Sequence, residues 1–244
     1  MRNLKLTLAY DGTGFHGWQI QPELPTVQGH LETAFRKLFN HDVHVVGSGR
    51  TDAGVHAHGQ TANVHTERSM DTDAVLRGVN ALLPVEIRIL VVEEVSDEFH
   101  ARHSAKSKTY EYHIWRHPIV SPFQCRYVYP FRYPLNEDAV DAATAKFLGM
   151  HDFTSFCATE TEIEDRVRTI YDADWSRSDG TWVFRIRGSG FLQHMVRTIV
   201  GTILEAGRGR VEPNGIDAMF AARNRRVAGP TLPAAGLHLV NVDY

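Results

Sequence analysis

The spacing of apolar residues switches between a period of two and a period of roughly 3.6 along the first hundred residues, and the order of the switches restricts the fold. Leu4, Leu6, Leu8 and Tyr10 alternate, which predicts a half-buried strand. Asp11-Gly12 and Gly14 turn it. Thr26 is placed to cap a helix whose stripe is Val27, Leu31, Ala34, Phe35, Leu38 and Phe39. Residues 43–46 and 60–66 read as strands on either side of a glycine-rich loop, 47–59. Residues 71–82 read as a helix closed by Pro84, and 87–94 as a strand. The order β-α-β-β-α-β is the ferredoxin-like split arrangement. The second half repeats it more loosely. Its elements are a strand over 107–116, a helix capped by Asn136 that ends before Gly149, and a hairpin of 167–176 and 181–187 around Ser178-Asp179-Gly180. A strongly periodic helix over 193–206, a short helix over 217–223 and a closing strand over 237–243 complete it. The pattern predicts an α+β chain of two halves, 1–104 and 105–244. The halves share one sheet or pack side by side, with a linker near 97–106.

A chain of 244 residues can bury a real core. With 43% apolar and 23% charged residues, disordered, collagen-like and coiled-coil readings are excluded. The longest aliphatic run, Ile89-Leu90-Val91-Val92, is far short of a membrane span. The first ten residues alternate and contain Lys5, so there is no signal-peptide core, and the cytoplasm is the expected compartment. Two cysteines, Cys125 and Cys157, make neither a disulfide framework nor a four-thiolate zinc site.

Net charge is 26 − 29 = −3, which does not advertise a polyanion partner. Its distribution says more. Between His100 and His117, Arg102, Lys106, Lys108 and Arg116 stand against Glu111, a local 4 − 1 = +3. Between Gly207 and Arg226, five arginines, Arg208 and Arg210 among them, stand against Glu212 and Asp217, a local 5 − 2 = +3. Each patch by itself is equally a solvated face.

The densest chemistry lies in Gly47-Ser48-Gly49-Arg50-Thr51-Asp52-Ala53-Gly54-Val55-His56-Ala57-His58-Gly59. Its glycines permit close backbone approach. It is neither a Walker loop nor a dinucleotide fingerprint. Three readings fit the residue types. Asp52, His56 and His58 could ligate a metal, since residues two apart on a strand share a face. Asp52 could serve a turn by hydrogen bonding. Asp52 could also be a covalent nucleophile, because an aspartate is ionised at neutral pH and a neighbouring guanidinium favours that form. There is no obvious carboxylate partner for glycosidase chemistry. On the strand Lys108-Thr109-Tyr110-Glu111-Tyr112, Lys108, Tyr110 and Tyr112 share a face, as core residues or as a stacking platform for a base. In the helix after Gly190, Leu192, Met195, Val196, Ile199, Val200, Ile203 and Leu204 form the apolar stripe. His194, Arg197 and Gly201 lie on another face. Gly190 and Gly201 would let another segment come close to Arg197.

At these residues the chain resembles the TruA family of tRNA pseudouridine synthases over nearly its full length. The resemblance rests on Tyr10-Asp11-Gly12-Thr13 with Phe15 and Gly17-Trp18-Gln19, and above all on Gly49-Arg50-Thr51-Asp52-Ala53-Gly54-Val55-His56. Phe99-His100-Ala101-Arg102, Lys108 to Tyr112, 152–156, 191–197, 233–237 and 242–244 follow in order, while the acidic segment 157–165 matches least. The resemblance implies the pseudouridine synthase fold, with two halves packed to share a mixed, mainly antiparallel sheet. It implies isomerisation of uridine in the anticodon stem-loop of tRNA, at positions 38 to 40, with no cofactor and no metal. It implies a homodimer that binds one tRNA across both subunits, which would let a chain of net negative charge hold RNA. Asp52 is then the nucleophile, Arg197 the arginine that pairs with it, and Tyr110 the tyrosine that stacks on the target base. Tyr112 becomes core. Arg50, His56 and Leu237 join Tyr110 in holding the extruded nucleotide, and Arg102, Lys106, Lys108, Arg208 and Arg210 meet phosphates.

Overall fold

The computed structural model describes residues 1–160, 163–178 and 180–244. The chain divides into two compact units, one of residues 1–106 with 239–244, the other of residues 107–238.

In the first unit β1 (Arg2–Tyr10), α1 (Val27–Phe39), β2 (Val45–Gly47), β3 (His56–Thr66), α2 (Thr72–Leu82) and β4 (Ile87–Val95) follow the order read from the spacing. β1 lies between β4 and β3, antiparallel to both, and β2 extends β3. Leu4, Leu6 and Leu8 are fully buried, at about 1.5–3 kcal/mol of transfer free energy each. α1 covers that face because Val27, Leu31, Ala34, Phe35 and Phe39 form its buried stripe. Thr26 caps it by accepting from Gly29 N at 3.3 Å, and Asn40 ends it in the left-handed region. Asp71 caps α2 by accepting from Asp73 N at 2.9 Å.

Two expectations for this unit are corrected. The glycine-rich segment is a loop only over 48–55, since β3 begins at His56. Pairing with β1 recruits those residues, but with a bulge: Leu8 faces Gln60 whereas Tyr10 faces Ala57. The segment 97–106 is no linker. Ala101 is fully buried, its N donates to Asn63 Oδ1 at 2.9 Å, and Asn3 Nδ2 donates to Ser96 O and Phe99 O. Buried asparagines satisfy an otherwise orphaned backbone and fix the segment to the sheet.

In the second unit β5 (Ser107–Trp115), β6 (Tyr129–Pro130), α3 (Glu137–Ala145), β7 (Gly149–Asp152), β8 (Val167–Ser178), β9 (Thr181–Gly188), α4 (Met195–Gly207) and α5 (Gly215–Ala222) follow. The strands run β5-β9-β8-β7, all antiparallel neighbours, with β6 parallel to β5. Asn136 caps α3 by accepting from Ala139 N at 3.1 Å. β6 and β7 carry no periodic signal because two and four residues are too few to show one. α4 starts two residues later than the spacing suggests, since His194 is in the left-handed region at φ 64°. Of the turn between β8 and β9, Asp179 lies outside the described residues, as do Thr161 and Glu162 of the acidic segment. The closing strand β10 (Leu237–Asp243) contributes its residues from Leu239 onward to the first unit, next to β3.

Candidate active site

The loop carrying Asp52 is held from below by the turn that follows β1. Trp18 N donates to Thr51 O at 3.0 Å, Gly54 N to Phe15 O at 3.3 Å, and Val55 N to Asp52 O at 3.2 Å. Gly17, at φ +83°, lies so close that a methyl group there would sit 2.6 Å from Thr51 O. A methyl group at Gly12 would sit 2.0 Å from Val55 O. The Gly12–Gly17 turn is therefore a backrest for the loop, which explains Gly12 and Gly17. The sequence marked the loop and missed the backrest, although three glycines around an aromatic pair were the available signal.

Thr51 is buried, Asp52 half-buried and Ala53 exposed, so the chain passes from the interior to the surface at Asp52. Arg50 is exposed, and its Nε donates to Gln19 Oε1 at 3.1 Å. His56 is buried, with Nδ1 accepting from Gly12 N at 3.1 Å and lying 3.2 Å from Asp11 Oδ1. His58 is exposed. The bulge in β3 has put the two histidines on different sides, which overturns the premise that they share a face. Among the described residues no group of three or more His, Cys, Asp or Glu is placed to hold a metal ion.

In the second unit, a strap of residues 230–236 joins α4 to β5. Arg197 Nε donates to Leu232 O at 2.6 Å, and Thr198 Oγ1 lies 3.0 Å from Thr231 Oγ1. Tyr112 OH donates to Pro233 O at 2.8 Å. Gly201 admits the strap, because a methyl group there would sit 1.9 Å from Pro230 O. Gly190, by contrast, faces only the Arg168 side chain, at 3.7 Å or more. Tyr110 is buried, with its ring edge-on to Phe191 at 5.1 Å between centroids. Tyr112 is wholly buried, and burial pushes its hydroxyl well above the ordinary tyrosine range. Leu237 is also buried.

Gly201→Ala reads out the strap. Alanine is ordinarily worth up to about 1 kcal/mol over glycine inside a helix. Here the contact with Pro230 O reverses the sign, and a net loss of about 1–3 kcal/mol is expected in urea unfolding.

The two basic patches are less alike than their counts. Arg102 and Lys106 are exposed and Lys108 half-buried. Arg116, counted with them, stacks between Phe131 and Trp182 and donates to the carbonyls of Phe131 and Tyr133. In the second patch Arg208 is bound to Glu205 at 2.7 Å and lies 3.9 Å over the Tyr133 ring. Arg210 also reaches Glu205, at 3.3 Å, but is exposed. Arg223 is paired with Asp152 at 3.0 Å. Glu205 and Asp152 lie outside the window that gave +3, so packing has neutralised part of it.

A family model described as tRNA pseudouridine synthase matches residues 7–104 and 143–244; Tyr110 falls between the two stretches. Over 244 residues the chain is 44% identical to the tRNA pseudouridine synthase A of Exiguobacterium sp., covering 100% of this chain and 98% of that one. It is 47% identical over 248 residues to the protein of that name from Solibacter usitatus, with 100% of both chains covered. With that from Bacillus subtilis it shares 45% over 245 residues, covering 99% of this chain and 98% of the relative. Among the described residues no helix is long and apolar enough to cross a membrane.

Proposed function

Because this chain belongs to the tRNA pseudouridine synthase family, we propose that it isomerises uridines 38 to 40 of the tRNA anticodon stem-loop with Asp52 as nucleophile and no cofactor. The observation that carries the assignment is the Asp52 loop: a half-buried carboxylate whose flanking backbone is held at Thr51 and Gly54 by bonds from the turn beneath it. Fixing the backbone on either side of a charged nucleophile lowers the entropic cost of orienting it.

In the reaction the N1–C1′ bond breaks and a C5–C1′ bond forms. The C5 proton leaves and N1 takes up a proton, so the product has the mass of the substrate. A uridine in a stem is out of reach and must be extruded, at a cost of a few kcal/mol. Tyr110 offers a face to the base, worth about 1–3 kcal/mol of stacking. Its ring is already oriented by Phe191, which lowers the ordering cost. Arg197 supplies the family guanidinium, held in plane through Nε. Arg50, His56 and Leu237 complete the nucleotide site, His56 by buttressing Gly12 and the loop. Arg102, Lys106, Lys108 and Arg210 meet phosphates, and Arg208 orders that segment through Glu205 and Tyr133. The enzyme works in the cytoplasm as a homodimer, with each half of the chain, 1–104 and 105–244, carrying its share of these residues.

The test is product mapping. Unmodified tRNA is incubated with the enzyme, and carbodiimide-reactive uridines are located by primer extension. New stops at 38 to 40, unaffected by chelator, are expected. Modification confined to another arm of the tRNA would remove the anticodon assignment.

The two tyrosines separate by substitution. Tyr110→Phe keeps the stack and loses the hydroxyl, and kcat for tritium release from [5-³H]uridine tRNA should fall roughly ten- to a hundredfold. Tyr112→Phe should cost about 1 kcal/mol of stability, the bond to Pro233 O, with kcat within a few-fold of wild type. A larger kcat loss at Tyr112 would exchange their roles.

A further inference from the structure

The inward faces of β1 and β3 are apolar until they reach the end from which the Asp52 loop emerges. There Leu4, Leu6 and Leu8 give way to Tyr10, and Val64 and Ala62 give way to Gln60, all of them buried. Tyr10 and Gln60 belong to one hydrogen-bonded cluster with the loop. Gln60 Oε1 accepts from Ser48 Oγ at 2.6 Å and from Thr61 N at 3.1 Å. Gln60 Nε2 donates to Gly49 O at 3.0 Å and, at 3.5 Å, to Tyr10 OH. The amide thus uses all four of its positions. The Tyr10 hydroxyl also lies 2.9 Å from Thr51 Oγ1, a bond in which either hydroxyl can donate. Burial pushes the Tyr10 hydroxyl up to about 12, against the lowering effect of its bonds to Thr51 and Gln60, so it stays protonated and able to donate.

Together, Ser48 and Gly49 are gripped by Gln60 and Thr51 by Tyr10, while the backbone of Thr51 and Gly54 is held by the turn below. Asp52 is the residue between those grips. A buried polar cluster is costly unless complete, and an apolar pair would fill the same space at lower risk. Its bonds to Ser48, Gly49 and Thr51 tie it to the loop, as the Asn3–Asn63 pair farther along the same strands is tied to residues 96–101.

We propose that Tyr10 and Gln60 are positioning residues of the isomerisation, acting through Thr51 and Gly49 to set the backbone from which the Asp52 carboxylate is presented. This rests on the reading of Asp52 as nucleophile. The Tyr10–Thr51 bond is expected to affect the chemical step rather than tRNA binding, since the two hydroxyls are engaged with each other beneath the loop. A small displacement of a nucleophile is enough to cost one to two orders of magnitude in rate.

The experiment measures kcat, KM and thermal midpoint with [5-³H]uridine tRNA for Tyr10→Phe, Thr51→Val, Thr51→Ser, the Tyr10→Phe/Thr51→Val double variant and Asp52→Asn. Tyr10→Phe and Thr51→Val are expected each to lose about tenfold in kcat with KM within twofold. The double variant should be no worse than either single one, because both remove the same bond. Thr51→Ser, which keeps the hydroxyl, should recover most of what Thr51→Val loses. The proposal is overturned if Tyr10→Phe and Thr51→Val turn over within threefold of wild type. It is equally overturned if their losses multiply in the double variant, or if serine recovers nothing. An inactive Asp52→Asn beside a fully active Tyr10→Phe sinks the positioning role alone, whereas an active Asp52→Asn sinks the nucleophile on which it rests.

Discussion

Asp52→Asn should abolish turnover while leaving the protein folded and able to bind tRNA. The substitution keeps size and shape, removes the negative charge and exchanges one accepting oxygen for a donating amide nitrogen. Asp52 is half-buried and lies outside the buried apolar core. Loss of a covalent nucleophile should cost at least about four orders of magnitude in kcat, equivalent to about 5.4 kcal/mol of transition-state stabilisation. The measurement is single-turnover tritium release at saturating enzyme, with tRNA affinity followed separately by filter binding. Asp52→Glu sharpens the expectation. It restores the charge but extends the side chain by one methylene. A rate between those of wild type and Asp52→Asn, about a hundredfold below the former, is expected if geometry as well as charge is required. Wild-type release by Asp52→Asn would return the loop to the role of a hydrogen-bonded turn.

Much of the scaffold around that carboxylate is legible in the amino-acid order, for local reasons. Thr26, Asp71 and Asn136 cap helices with their own side chains within three residues, and the stripe of α1 repeats at helical spacing. Such signals need no tertiary knowledge. What escapes is whatever depends on two distant segments meeting. The bulge that separates His56 from His58 arises from pairing with β1 and leaves no mark on the period of β3. Arg208 and Arg223 read as free charge because Glu205 and Asp152 lie outside the windows in which they were counted. Gln60 reads as one more alternating strand residue, and only the fold shows its amide bonded to the loop at Ser48 and Gly49. The 97–106 segment has the polarity of a linker, yet Asn3 and Asn63 satisfy its backbone from the sheet. For the site the same rule holds. The residue types of the loop were readable, whereas the turn and the buried cluster that hold it were not.

The turn beneath the loop yields the second large effect. Gly17→Ala is expected to lower kcat at least a hundredfold by acting on the backbone of the loop alone, every side chain of which is unchanged. Two costs coincide. At φ +83° an alanine is strained by about 1–3 kcal/mol whatever the space around it. Its methyl would also sit 2.6 Å from Thr51 O and 3.1 Å from Ala53 N and Asp52 C, all of them backbone atoms that no rotamer change can move aside. Relief requires the turn and the loop to separate, which stretches the bond from Trp18 N to Thr51 O and releases the residue before Asp52. Separation by an ångström is sufficient for the expected rate loss. Gly14→Ala is the control within the same turn: a methyl group there meets nothing within 4 Å, and stability should change by less than about 0.5 kcal/mol. Urea unfolding and single-turnover tritium release on both variants decide the matter. If Gly17→Ala is destabilised but its rate per folded molecule equals that of wild type, the turn supports the fold and not the carboxylate.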